Sequence, residues 1–154
     1  MKRIFKWAVI AIGVALILIQ IIRPDRTNPE FDRTKDFASV PGADTAIAAL
    51  LRRACYDCHS FESRWPWYSN VAPVSWVVVD DVQEGRRHVN FSLWGKYPPS
   101  RRAQSLDDIH DQITLHNMPL PKYLLLHPEA RLTQAERDSV VAWADREREK
   151  LGDE

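Results

Sequence analysis

A five-residue segment, CYDCH at residues 55–59, constrains this chain more than any other feature of its sequence. It contains the only two cysteines, Cys55 and Cys58, followed directly by His59. C-x-x-C-H is the attachment sequence for haem c, in which both thiols form thioethers with the vinyl groups on one edge of a porphyrin. On a helix the two thiols share a face, and the next imidazole projects close to the iron. The segment therefore predicts one covalent haem c per chain, with His59 as an iron ligand.

Other uses of this cysteine pair have less support. A structural zinc site needs four protein ligands, but no second C-x-x-C is present, and the histidines nearest to H-x3-5-H spacing, His110 and His116, lie far from the cysteines. A thioredoxin-like pair would accompany a βαβ pattern, which this sequence does not show. A disulfide between Cys55 and Cys58 would close a very small loop. Haem attachment is the interpretation that the spacing favours.

An apolar run near the N-terminus predicts a membrane span. Residues 7–22 read WAVIAIGVALILIQII, in which Gln20 is the only polar residue. With Ile4 and Phe5 the run reaches about 19 residues, close to the roughly 20 that cross a bilayer. A cleaved signal peptide would have a shorter apolar region and a small-x-small cleavage site, and the run ends in QIIRP, which offers none. We therefore expect residues 1–23 to form an uncleaved signal anchor.

Flanking charges leave the orientation of this anchor open. Lys2, Arg3 and Lys6 precede the run, and Arg23 and Arg26 follow it, so the distribution of positive charge favours neither direction strongly. The haem motif decides the orientation, because the thioethers of bacterial c-type cytochromes form on the periplasmic side. We therefore expect a single-pass protein of the inner (cytoplasmic) membrane with its haem domain in the periplasm.

The charge beyond the anchor argues against a nucleic acid as partner. The chain has 21 basic and 21 acidic residues, and four of the basic ones lie within the first 23 residues, where no acid occurs. The remainder therefore carries 17 basic against 21 acidic residues. A mildly acidic domain lacks the basic surface that binds nucleic acid.

Periodic apolar residues predict an all-α domain over residues 44–151, joined to the anchor by a polar, proline-containing linker over residues 24–43. The predicted helices cover residues 44–58, 73–87, 105–117 and 133–151. Asp44 is a candidate N-cap for the first. Capping-box pairs begin the last two, Ser105 with Asp108 and Thr133 with Glu136. The expected architecture is a small, cytochrome c-like helical domain around a covalent haem.

The sixth iron ligand has one favoured candidate and one alternative. Met118 offers a soft, neutral thioether, and His/Met ligation raises the reduction potential as cytochromes c require. Pro119 follows it directly and stiffens the loop that presents the sulfur. His88, at the end of a predicted helix, is the alternative and would give a bis-histidine site. The other histidines of the chain are His110, His116 and His127.

Tryptophan is abundant in this chain, with six residues in 154. Side chains of this size need a large apolar surface to pack against. A porphyrin would supply one, and an aromatic protein core would use the same residues. The aromatic candidates are Trp65, Trp67, Tyr68, Trp76, Trp94 and Trp143.

Five segments together resemble a known family. They read CYDCHS, RWPWYS, VAPVSW, GRRHVNFS and NMPLPKYLLLHPEARLT, and they resemble the bacterial haem-binding domain family of membrane-anchored, cytochrome c-like proteins over roughly residues 20–147. The stretch from Met118 to Trp143 is also similar to the end of ordinary small cytochromes c. The resemblance implies a periplasmic covalent haem held through Cys55, Cys58 and His59.

Three hypotheses for function follow. The first is a monohaem electron carrier with two strong axial ligands, no catalytic residue, and a redox partner protein that the sequence does not identify. The second is a peroxidase-type haem enzyme or an accessory domain of one, which needs an open or labile sixth position and a distal acid or base such as His88 or His116. The third is a haem-based sensor in which a gas displaces Met118. We favour the carrier.

The first prediction concerns covalent attachment. After the holoprotein is denatured and extracted with acidified organic solvent, haem should stay on the polypeptide, because thioether bonds survive unfolding. Cys58→Ala should carry a single thioether or none, and its ferrous absorption band should shift. Absorption spectra of the extracted protein measure both effects. Haem that leaves the unmodified polypeptide entirely would contradict the motif-based interpretation.

Overall fold

The structure, a computed structural model, describes residues 2–152. Over these residues it contains seven α-helices and no strand, which confirms the all-α prediction. The helices are α1 (Lys2–Leu18), α2 (Thr45–Ala54), α3 (Tyr56–His59), α4 (Val74–His88), α5 (Pro99–Thr114), α6 (Pro121–Leu124) and α7 (Gln134–Gly152). Short 3-10 helices lie between them at Ile19–Ile21, Arg33–Lys35, Phe37–Ser39, Trp67–Asn70, Phe91–Lys96 and Pro128–Ala130.

The N-terminal helix stands apart from the core. Together with the 3-10 turn that follows, α1 forms an apolar helix of 20 residues, Lys2–Ile21, with a mean hydropathy of 2.4 in its most apolar window. None of its residues is buried by the rest of the chain. At about 1.5 Å per residue such a helix spans about 30 Å, the thickness of a bilayer's hydrocarbon layer. It is therefore long and apolar enough to cross a membrane.

The core of the domain forms where α5 and α7 pack along each other and α2 packs against α7. Each of these helices buries an apolar stripe, because its apolar residues recur every three or four positions. The buried stripes are Ile47, Leu51 and Ala54 on α2, Leu106, Ile109 and Ile113 on α5, and Val140, Trp143 and Ala144 on α7. The apolar spacing of the sequence predicts burial on all three helices, the stripe on α5 included.

An aromatic cluster closes the core on one side. The ring of Phe37 lies 5.7 Å from that of Trp94 and 5.2 Å from that of Trp143, both edge to face, and Phe91 packs 6.1 Å from Trp94. Phe37 belongs to the stretch interpreted from sequence as a linker, residues 24–43, and is only 3% exposed. Part of this stretch therefore packs as an integral piece of the domain.

Two predicted helix caps are confirmed. The Asp44 carboxylate accepts hydrogen bonds from the backbone amides of Ala46 and Ile47, at 2.9 and 3.1 Å. Thr133 and Glu136 form a reciprocal capping box, in which each backbone amide donates to the other side chain at 2.8 and 3.2 Å. These bonds satisfy amides that a helix start leaves without intrahelical partners.

Three predicted helix limits are wrong. The third predicted helix begins at Pro99, not at Ser105, since proline suits a first helical turn and Ser105 lies fully buried within α5. It also ends at Thr114. The first predicted helix is interrupted at Cys55, whose backbone leaves the helical region (φ −126°, ψ −34°), so the haem motif forms the separate short helix α3.

Phe37→Ala should destabilise the domain by about 3–5 kcal/mol, because it removes a ring from a closed aromatic cluster and leaves a cavity. Denaturant unfolding of the purified holoprotein measures this change. Glu30→Ala is the matched control, because this exposed residue of the same stretch should change the free energy of unfolding by less than about 0.5 kcal/mol. Equal stability of the two variants would show that the stretch is a loose linker.

Candidate haem site

The helix that carries the motif is held in backbone contact with α4. A Cβ atom built on Gly85 would lie 2.9 Å from the carbonyl oxygen of Cys58 and 3.3 Å from its carbonyl carbon. Backbone atoms cannot swing aside as side-chain tips do, so only glycine fits where α4 crosses α3. The contact places the C-terminal half of α4 beside the motif.

This crossing fixes the orientation of His59. Its Nδ1 lies 2.8 Å from the Gly85 carbonyl oxygen and 3.1 Å from that of Val89. Carbonyls only accept hydrogen bonds, so Nδ1 carries the proton and donates it, and Nε2 keeps its lone pair. Burial lowers the pKa of His59, which keeps the imidazole neutral near pH 7. A neutral imidazole with a free Nε2 is the form that binds iron.

The motif opens into an apolar cavity of about 360 Å³ between α2, α4 and α5, within the rough range of 300–1,000 Å³ found for ligand pockets. Cys55, Cys58 and His59 line it on one side, and Met118 lines it as well. Most of the remaining wall is apolar, including Leu50, Val89, Phe91, Ile109, Ile113 and Leu132. The structure therefore brings the four sequence-predicted site residues to one cavity.

Both cysteines present free thiols to this cavity. Burial raises the pKa of Cys55 to about 12 and that of Cys58 to about 11. Both sulfurs are therefore protonated thiols at neutral pH. Within residues 2–152, no group of three or more His, Cys, Asp or Glu side chains is arranged to hold a metal ion.

The loop after α5 positions Met118. Its backbone amide donates to the carbonyl of Gln112 at 3.2 Å. Its own carbonyl accepts a hydrogen bond of 2.9 Å from the guanidinium of Arg137, a buried residue of α7. Sequence reasoning missed Arg137, because its role depends on a contact between two segments that lie 19 residues apart. The thioether is thus attached to a loop that the core helices hold in place.

His88 lies at the edge of the same cavity. Its side chain is 64% exposed, and its Nε2 lies 2.9 Å from a carboxylate oxygen of Glu84. The other three histidines, which do not line the cavity, have partners elsewhere. His110 pairs with Asp145, His116 contacts its own helix end, and His127 hydrogen-bonds with Tyr68. Met118 and His88 are thus the two candidates that the structure places near His59.

None of the tryptophans lines this cavity. Trp94 and Trp143 belong to the protein core. These two residues therefore follow the second interpretation from sequence, an aromatic protein core, and do not pack against a porphyrin. Trp65 and Tyr68 line a smaller neighbouring cavity of about 180 Å³. The aromatic walls of the larger cavity are Phe91 and Tyr123, and Tyr123 donates a 2.9 Å hydrogen bond to Asp57 within the motif.

Comparison with known proteins assigns the family. A family model described as a haem-binding domain matches residues 14–146. The chain therefore belongs to the haem-binding domain family, which confirms the resemblance carried by its motifs. No curated protein and no solved structure matches the chain.

The residues around the cavity fit the group that the family name implies. A flat apolar porphyrin needs apolar walls, and its iron needs soft or imidazole ligands. The cavity offers both, since its lining is mainly apolar and His59, whose Nδ1 alone is hydrogen-bonded to carbonyls, lines it together with the two cysteines. Cys55, Cys58, His59 and Met118 are the residues that would hold a haem here.

Gly85→Ala tests the crossing of the two helices. The added methyl cannot fit against the Cys58 carbonyl, so we expect a loss of about 1–3 kcal/mol in stability and a lower haem content per polypeptide. Thermal unfolding and the ratio of haem to protein absorbance measure the two effects. Gly152→Ala is the control, because nothing lies within 4 Å of a Cβ atom built there. If both variants retain normal haem content and stability, the close contact is unimportant for the site.

Proposed function

We propose that this protein is a membrane-anchored, periplasmic monohaem c-type cytochrome that transfers electrons. Cys55 and Cys58 would form thioethers with the haem, and His59 and Met118 would bind its iron. The observation that carries the proposal is that all four side chains line one apolar cavity. When bound, the haem supplies one-electron chemistry at its iron.

The surrounding chain supports electron transfer by holding both ligands firmly. Two backbone carbonyls orient the ring of His59, and Arg137 holds the backbone of Met118. Rigid ligands limit the rearrangement that accompanies a change of charge on the iron. If His59 and Met118 both bind the iron, the protein would leave no iron position open to a substrate. This is the arrangement of a carrier rather than of an enzyme.

The proposed location rests on two independent features. The 20-residue apolar helix Lys2–Ile21 is uncovered by the rest of the protein, as a membrane-spanning segment should be. The haem attachment motif implies that the domain that follows this helix is in the periplasm, where bacterial haem c is attached. Together they support a single-pass protein of the inner membrane, working with a redox partner protein.

One observation favours a second candidate. His88 lies at the cavity edge and is paired with the Glu84 carboxylate, a combination that could serve as a distal base or as the sixth ligand. With His88 bound to the iron the protein would be a bis-histidine carrier. With a labile Met118 and a free His88 it would be a peroxidase-type enzyme or accessory domain, or a gas sensor. The state of the sixth position distinguishes these functions.

Met118→Ala is expected to open the sixth position, lower the reduction potential and admit imidazole or carbon monoxide, because a thioether ligand raises the potential. The sulfur-to-iron charge-transfer band of the ferric protein should disappear. His88→Ala, the matched control at the same cavity, should leave the band and the potential unchanged. Optical spectra and redox titration of the detergent-solubilised protein measure these effects.

The reverse pattern would overturn this assignment. If Met118→Ala changes neither spectrum nor potential while His88→Ala gives a high-spin iron, the axial pair is His59 and His88. If the unmodified protein is already high spin and consumes peroxide rapidly, it is an enzyme and not a carrier.

A further inference from the structure

A contiguous set of apolar side chains is exposed on the domain beside its anchor. Beyond residue 22, the described residues expose seven large apolar side chains, and six belong to this set, with Leu115 as the seventh. We call the six residues the apolar face: Trp67, Val71, Val74, Val77, Leu125 and Leu126. Trp67 is 75% exposed and Leu125 is 80% exposed. Exposed apolar surfaces of this kind mark sites of protein or membrane contact.

Four members of the apolar face meet around Tyr68, and the other two, Val71 and Leu125, are close to them in the chain. Val74, Val77 and Leu126 line the smaller cavity together with Tyr68. The Trp67 ring lies 5.8 Å from the ring of Tyr68. The start of α4, the Trp67–Asn70 turn and the chain after α6 therefore form one surface.

The anchor is fastened to the domain at the edge of this face. The side chain of Gln20, the one polar group in the apolar run, donates to the carbonyl of Ala72 at 3.0 Å and accepts from its amide at 2.9 Å. The indole of Trp76 donates to the carbonyl of Ile22 at 2.9 Å. An amide side chain within a membrane span is costly unless its hydrogen bonds are made. Its reciprocal pairing with Ala72 explains why Gln20 is tolerated.

We propose that the apolar face lies in the interfacial region of the lipid bilayer and that the hydrogen bonds of Gln20 hold the domain in this orientation. The inference rests on the proposed membrane anchoring. The anchor ends within hydrogen-bonding distance of residues 72 and 76, so the side chains next to them lie at the depth where the helix leaves the hydrocarbon. Apolar and tryptophan side chains at that depth partition into the interface.

Nearby charges suit the same occupant. Arg23 and Arg26 lie within the first residues after the anchor, with Asp25 between them, and Arg26 donates to the hydroxyl of Ser69 at 3.4 Å, next to the apolar face. Guanidinium groups at the headgroup level attract phospholipid phosphates. The docked orientation also holds Cys58 near the membrane, because the smaller cavity shares Cys58 and Tyr123 with the haem cavity.

Photo-crosslinking of the full-length holoprotein in vesicles of phosphatidylethanolamine and phosphatidylglycerol tests the proposal. p-Benzoylphenylalanine is placed at Leu125 on the apolar face or, as the control, at Ala142, an exposed residue of α7. Lipid adducts are measured by mass spectrometry. We expect several-fold more lipid adduct from position 125 than from position 142, and a fall towards the control level in the Gln20→Leu background. Carbonate extraction of each sample reports anchoring separately.

Each other result overturns part of the inference. Equal lipid labelling at positions 125 and 142 in a carbonate-resistant protein would overturn docking while leaving the anchor intact. Adducts with a second copy of the chain would assign the apolar face to a dimer. Unchanged lipid labelling in the Gln20→Leu variant would show that Gln20 does not hold the domain in this orientation. Release of the protein by carbonate would refute the anchoring itself, and docking with it.

Discussion

The backbone contact between Gly85 and Cys58 is the constraint on which the site depends. It brings the end of α4 against the motif helix, so that the carbonyls of Gly85 and Val89 receive the Nδ1 proton of His59. The same contact leaves Nε2 as the ring nitrogen with a lone pair. The C-x-x-C-H segment thus depends on a distant glycine for the orientation of its imidazole.

Stability and function share their residues in this domain. The cavity is walled by side chains that also form the core, such as Leu51, Ile113 and Val140. Arg137 of α7 holds the loop that presents Met118, so packing of α7 on α5 also sets the position of the proposed sixth ligand. Apolar walls exclude water from the ligands, and a rigid frame suits a carrier whose ligands must move little between oxidation states.

The proposed anchor and the domain are joined by specific bonds. Gln20 and Ile22 bond to Ala72 and Trp76, at the start of the helix that later contacts the haem motif. The path from the proposed membrane span to His59 therefore runs along α4. In the proposed orientation, this arrangement would give the domain a defined face towards the lipid.

The sequence by itself determined what depends on neighbouring residues: the C-x-x-C-H spacing, the apolar helix with its single glutamine, the caps at Asp44 and Thr133, and the family. Tertiary structure decided what depends on distant contacts. The helix α5 begins at Pro99, so that Ser105, its predicted start, is buried within it. Phe37, in the predicted linker, is buried in the core. Trp94 and Trp143 pack on protein, not on the cavity. Local patterns determine helix caps and the spacing of the motif residues, whereas the surface that a side chain contacts is fixed only when distant segments pack together.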